Sequence, residues 1–267
     1  MSAPTQGVTM LEAELRSAHA ARRTGVLFFD VASPLSVRFR AGEVIGGGIL
    51  DFIGFDALGT VSLRGELGRA SFRSIEPGEP ILHRPFELLL DQWARANEEW
   101  ARIRTQLDSP SRVLSTTPTA GPSYALYAPG RSVRATAKAA GVPVAVAANM
   151  AWQGLKTGEL RREERFAWFG LRLRAPGITP ATGYTRPGHA TLSGARRGMD
   201  ARLLTGCLDG SMNMGELVDE GFDAPVIRAY LIAAIRRGEF SAPGSGWLLR
   251  DLTWERQGCT DRSLDVS

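Results

Sequence analysis

Asn149, Gln153 and Lys156 are spaced by four and three residues, the interval that puts side chains on one face of a helix. Asn and Gln can each make bidentate hydrogen bonds to adenine, and Lys can bond phosphate or guanine. Cationic residues flank this face. Arg131, Arg134 and Lys138 precede it, and Arg161, Arg162, Arg165, Arg172 and Arg174 follow it. Such side chains can neutralise phosphates and fix register on a duplex. The same residues also fit a plainer reading. An exposed helix face must be polar whatever it does, and the face itself holds a single positive charge, Lys156.

No other grouping points to bond-making chemistry. His19, His83 and His189 fall in three separate segments, with no Cys or Asp at metal-ligand spacing. There is no GxSxG elbow, no HExxH and no paired-cysteine motif. The carboxylate pairs Glu98-Glu99 and Glu163-Glu164 are sequence neighbours that read as solvated surface. Gly46-Gly47-Gly48 is not followed by Lys-Ser/Thr and does not open a GxGxxG unit, so a turn or close backbone packing is expected there rather than a phosphate loop. The expectation is a protein with no catalytic residues, no metal and no cofactor.

The residues with binding potential lie in a stretch that occurs twice. Read from Gly130 and from Gly210, the two copies align without a gap. Gly130, Gly141, Gly158 and Glu159 fall on Gly210, Gly221, Gly238 and Glu239. In the first copy Ser132 is a natural N-cap for a helix over 133–140, and Gly141 ends it. A second helix is expected over 144–157 with Val144, Ala147, Ala151 and Leu155 buried, closed by Gly158. The stretches Leu160–Arg165 and Phe166–Arg174 read as the two strands of a hairpin. Two helices, a glycine stop and a hairpin resemble a winged helix, used here in tandem. That resemblance implies a recognition helix in the major groove of double-stranded DNA, with basic hairpin residues on phosphates. Some winged helices bind only proteins, so an interaction adaptor stays open as the alternative.

The second copy keeps the skeleton and changes the surface. Asn213 and Glu216 form a capping box, and Asp223-Ala-Pro225 starts the next helix. Asp209, Glu216, Asp219, Glu220, Asp223 and Glu239 make it acidic, and its hairpin, 239–250, has a Pro-Gly-rich tip without a basic residue. Residues 113–180 hold nine Lys or Arg against three Asp or Glu, whereas 201–267 hold seven against ten. The second copy is therefore expected to contact protein.

The chain of 267 residues suits two or three domains, with 43% hydrophobic residues for their cores. It has no apolar run of the roughly 20 residues that span a bilayer. Its first residues lack the basic-then-apolar order of a secretion signal, and it has two cysteines, Cys207 and Cys259. A cytoplasmic location is expected.

The N-terminal part reads as a small α+β domain. A helix is expected over 11–21, with Leu11, Leu15 and Ala18 on one face, and strands over 25–30, 35–40 and 43–45. A weaker helix is expected over 52–63 and a last strand over 68–73. The order of helix, TGVLFF, LSVRFRAGEVIGG, apolar helix and GRASFR, closed by the long helix from Phe86, resembles the PATAN domain of bacterial regulators over residues 8 to 110. The resemblance implies a signalling or interaction module without catalytic residues. Members of that family are associated with motility and cell patterning, and winged-helix-like segments often follow the domain.

On the long helix, expected over 86–107, Phe86, Trp93, Trp100 and Leu107 are spaced by seven, with Leu89, Ala96 and Ile103 three residues after the first three. Phe86, Trp93, Trp100 and Ile103 are thus core or interface anchors. The seam packs on the protein's own sheet or pairs with its twin in a dimer. The fold class expected is α+β: a PATAN-like domain over 1–108, a linker over 109–123, winged-helix-like modules over 124–175 and 200–256 joined by a linker over 176–199, and a loose tail over 257–267.

Overall fold

A computed structural model describes residues 9–29, 34–64, 66–67, 69–174, 204, 206–240 and 244–259. The fold is mixed α+β, and the strand pairs among the described residues are antiparallel. The chain divides into two units. One holds Met1–Gln106 and Pro243–Thr253, the other Leu107–Ala242 and Trp254–Ser267.

In the first unit, strands β1 (Thr9–Met10), β2 (Gly25–Phe29), β3 (Leu35–Arg40), β4 (Glu43–Ile49), β5 (Phe52–Ile53), β6 (Glu66–Leu67) and β7 (Ala70–Arg73) are joined by helices α1 (Leu11–Ala20), α2 (Phe55–Leu58) and α3 (Phe86–Arg104). Five strands form one sheet in the order β5-β4-β3-β2-β7. The alternation of β3 decides its faces: Leu35, Val37 and Phe39 are buried, and Ser36 and Arg38 are half-buried. The apolar stripe Leu11, Leu15 and Ala18 of α1 is buried, as its helical spacing requires.

The glycine run is part of β4 and not a turn. It serves the close packing that was the other expectation. A Cβ on Gly47 would stand 2.5 Å from the Ser36 carbonyl oxygen and 3.1 Å from Leu58 of α2. Gly46 faces the other way, where a Cβ would lie 2.8 Å from Ile81. The helix expected over 52–63 is reduced to the four residues of α2, because Gly54, at φ 92, sets the chain outside helical geometry just before it.

Helix α3 settles the heptad seam. Phe86, Leu89, Trp93, Trp100 and Ile103 are buried, and Trp93 is completely enclosed. The indole Nε1 of Trp93 donates to the Val61 carbonyl at 2.8 Å, and Asn97 Nδ2 donates to the same oxygen at 2.9 Å. The Phe86 amide, at the helix start, donates to the Glu43 carboxylate at 2.9 Å. The seam is thus covered within the chain, the first of the two arrangements expected for it. The helix also stops at Arg104, three residues before the expected end.

The second unit begins where a linker was expected. Residues 109–123 contain β8 (Arg112–Thr116), the middle strand of a sheet in the order β10-β8-β9. The Ser, Thr and Pro of this stretch disguise it. Ser109 and Ser111 are fully buried and bond to one another at 3.0 Å, which satisfies hydroxyls that composition alone would assign to water. A 3-10 turn over Pro122–Tyr127 follows, then β9 (Arg131–Ser132), α4 (Val133–Ala140), α5 (Val144–Thr157), β10 (Leu160–Phe166) and a 3-10 turn over Ala167–Gly170. Beyond it come β11 (Arg172–Arg174), β12 (Asp209–Asn213), α6 (Met214–Asp219), α7 (Ala224–Arg236) and α8 (Ser245–Cys259).

Two hairpin expectations are overturned. Strand β10 pairs with β8 and β11 pairs with β12, so Leu160–Arg174 does not fold back on itself. The second half of the hairpin read at 239–250, residues 245–250, is the start of α8. Gly-Ser-Gly is turn-like in isolation, but here Asp51 accepts from the amides of Gly244 and Gly246, the latter at 2.6 Å, and caps the helix from outside. Further along α8, the buried Arg250 donates from Nε to the Thr60 hydroxyl at 3.1 Å and from Nη2 to the Thr60 carbonyl. The linker expected over 176–199 and the tail from 260 on lie outside the described residues. Arg250→Ala is expected to destabilise the first unit by about 2 kcal/mol, since it removes charge-assisted bonds and orphans the Thr60 carbonyl. Urea unfolding of the full chain measures this.

Candidate nucleic-acid interface

The repeat is visible in the backbone. Gly130, Gly141 and Gly158 have φ of 73°, 66° and 77°, and their counterparts Gly210, Gly221 and Gly238 have 85°, 104° and 75°. All six need the left-handed region that glycine tolerates. The bonds that close the first helix of each copy match as well. Val142 N donates to Ala137 O at 3.1 Å and Phe222 N to Leu217 O at 3.0 Å. The start differs by one residue. Ser132 Oγ accepts from Ala135 N at 3.2 Å, whereas the second copy's cap is Asn213, which accepts from Glu216 N at 2.8 Å.

Buried contacts hold α4 and α5 in place. The Tyr127 phenol donates to the Ala147 carbonyl of α5 at 3.0 Å. Burial pushes its pKa up to about 12. Gly154 lets β10 approach α5: a Cβ there would lie 2.7 Å from Leu160 and 2.8 Å from Tyr124. Ala147, Ala148, Ala151 and Gly154 form the buried stripe of α5, and Val144 and Leu155 are only half-buried. The stripe is made of small residues, so α5 seats close to its neighbours.

The outward side of α5 carries the predicted face. Gln153 and Lys156 are exposed and Asn149 is half-buried. Lys156 Nζ lies 5.3 Å from the Trp152 ring centre, one helical turn back. On α4, Lys138 is exposed and Arg134 half-buried.

The sheet collects a second group. Arg131 of β9 and Arg162 of β10 both pair with Leu114, one on each side of β8. They therefore form one row across the three strands, on one face. Arg165 reaches over the Gly130 turn, where a Cβ would meet its Nη2 at 2.8 Å. Among the described residues these three guanidiniums form no ion pair. The arginines at 161, 112 and 172 are different. Arg161 Nε donates to Ser115 Oγ at 2.9 Å and lies 3.6 Å from the Glu163 carboxylate. Arg112 bonds Asp108 at 3.0 Å and covers the Phe166 ring at 3.8 Å.

Arg172 sits in the β11–β12 sheet with Nη2 3.3 Å from Glu216. Its expected place on a free hairpin is corrected, because the chain after β10 pairs with the second copy. Arg131 is a member of this group that helical spacing alone does not single out. The available signal was charge: no Asp or Glu lies between Asp108 and Glu159, and every charged residue in that span is basic.

Among the described residues no cluster of three His, Cys, Asp or Glu could hold a metal ion, and no helix is long and apolar enough to cross a membrane. Comparison with protein-family models, curated proteins and solved structures returns no match for this chain.

Proposed function

We propose that the chain is a non-enzymatic cytoplasmic regulator, built from a PATAN-like α+β domain and two winged-helix-like modules, whose first module binds double-stranded DNA. One observation carries this reading. The β9–α4–α5 stretch has no acidic residue, and it lies beside Arg131, Arg162 and Arg165, which form no ion pair among the described residues. Guanidiniums without a carboxylate partner are suited to phosphate. Asn149, Gln153 and Lys156 then face base edges, with Arg134 and Lys138 on the backbone. The N-terminal domain serves assembly or partner recognition.

Fluorescence anisotropy with a labelled duplex across a salt series tests the reading. Several neutralised phosphates give an affinity that falls steeply with salt, by about 0.9 logarithmic units per phosphate for each tenfold rise in salt. Absence of binding to duplex or single strand at low salt would remove it.

A second reading rests on the apolar residues of the same outward side. Val146 is 47% exposed, and Met150 and Trp152 are half-buried. Apolar groups on a recognition surface favour a protein partner, and the chain would then be an adaptor in a signalling or motility pathway.

A further inference from the structure

We propose that the second copy competes with phosphate for Arg172 and so limits how tightly the first copy grips DNA. This regulation rests on the DNA-binding reading above. The strand that would complete a wing beside β10 is taken up by the second copy. Arg172 pairs with Asn213 and Arg174 with Asp209. Met214, the first residue of α6, donates its amide to the Leu171 carbonyl at 3.0 Å, and Arg174 Nε donates to the Asp209 carbonyl at 3.3 Å.

Glu216 does two jobs in this arrangement. One carboxylate oxygen accepts from the Asn213 amide at 2.8 Å and completes the capping box. The other lies 3.3 Å from Arg172 Nη2, while Arg172 Nη1 donates to the Ser211 carbonyl. A phosphate and this carboxylate are alternative anionic acceptors for one guanidinium. The pair is 50% and 36% exposed, so solvent screens it and an incoming polyanion can displace it. The first copy lacks the device: the position matching Glu216 is Thr136, which has no charge.

Glu216→Gln tests the inference in the full chain. Glutamine preserves the capping box and removes the charge facing Arg172. Anisotropy with a duplex oligonucleotide at fixed low salt should show affinity two- to fivefold tighter, about the range of an exposed ion pair. The salt dependence should steepen by about one phosphate. Asp219→Asn changes net charge equally at an exposed site on the same helix and is the control. Adding Arg172→Ala to Glu216→Gln should abolish the gain. Equal affinities for Glu216→Gln and Asp219→Asn, with the wild type binding, would overturn the competition and leave the DNA reading standing. If no form binds, the DNA reading falls and the competition falls with it.

Discussion

Trp93→Ala is expected to lower the unfolding free energy of the protein by about 3–5 kcal/mol, the range for truncating a large enclosed aromatic side chain. Trp93 is fully buried, so its loss leaves a cavity that the sheet and α3 can only partly close. It also removes one of the two donors on the Val61 carbonyl and leaves Asn97 alone to satisfy that oxygen. Urea unfolding should show a lower midpoint with an unchanged slope. Leu88→Ala on the same helix is the comparison, because Leu88 is 48% exposed and its loss should change stability by less than about 0.5 kcal/mol. The midpoints should not depend on protein concentration. A concentration-dependent midpoint would mean that the seam is shared between copies.

Reversing Arg131, Arg162 and Arg165 to Glu is expected to weaken duplex binding about a hundredfold or more at low salt. The salt dependence should fall by about three phosphates, roughly 2.7 logarithmic units for each tenfold change in salt. No carboxylate neutralises these three among the described residues, whereas Arg161 already has Ser115 and Glu163. Arg162 and Arg165 are exposed and Arg131 is half-buried, and circular dichroism should show a folded variant. Retained affinity would move the anion-binding role to α4 and α5, or remove it. Arg172→Glu should matter far less, since Glu216 already occupies that guanidinium.

The parts of this fold that were legible in the sequence are those fixed locally. Gly141 and Gly158 end helices because a left-handed residue does so wherever it stands, and their partners eighty residues on obey the same rule. The stripe Leu11, Leu15 and Ala18 and the alternation of Leu35–Arg40 follow from one buried face. What could not be read is set by distant partners. β8 has only Val113 and Leu114 as an apolar signal, and its role as a central strand depends on β9 and β10 arriving on either side. Residues 160–174 have the right polarity for a hairpin. The pairing of β11 depends on β12, which lies beyond a long intervening stretch. The candidate site divides in the same way. The face of α5 was legible from spacing, but the row formed by Arg131 and Arg162 exists only because both strands pair with Leu114.

The capping of α8 by Asp51 and its anchoring through Arg250 and Thr60 have a temporal consequence. Those contacts join residues 190 to 195 positions apart. On a ribosome the sheet of the first unit emerges well before the helix that completes it, which is made 190 or more residues later. Until then the Thr60 carbonyl and the surface around Ile49 await their partner. Contacts of such long sequence separation form slowly, because a large loop must close before they stabilise anything. The first unit should therefore fold in two stages, a fast one without α8 and a late one that registers its arrival, and nascent chains cut short before Gly244 should be the aggregation-prone species.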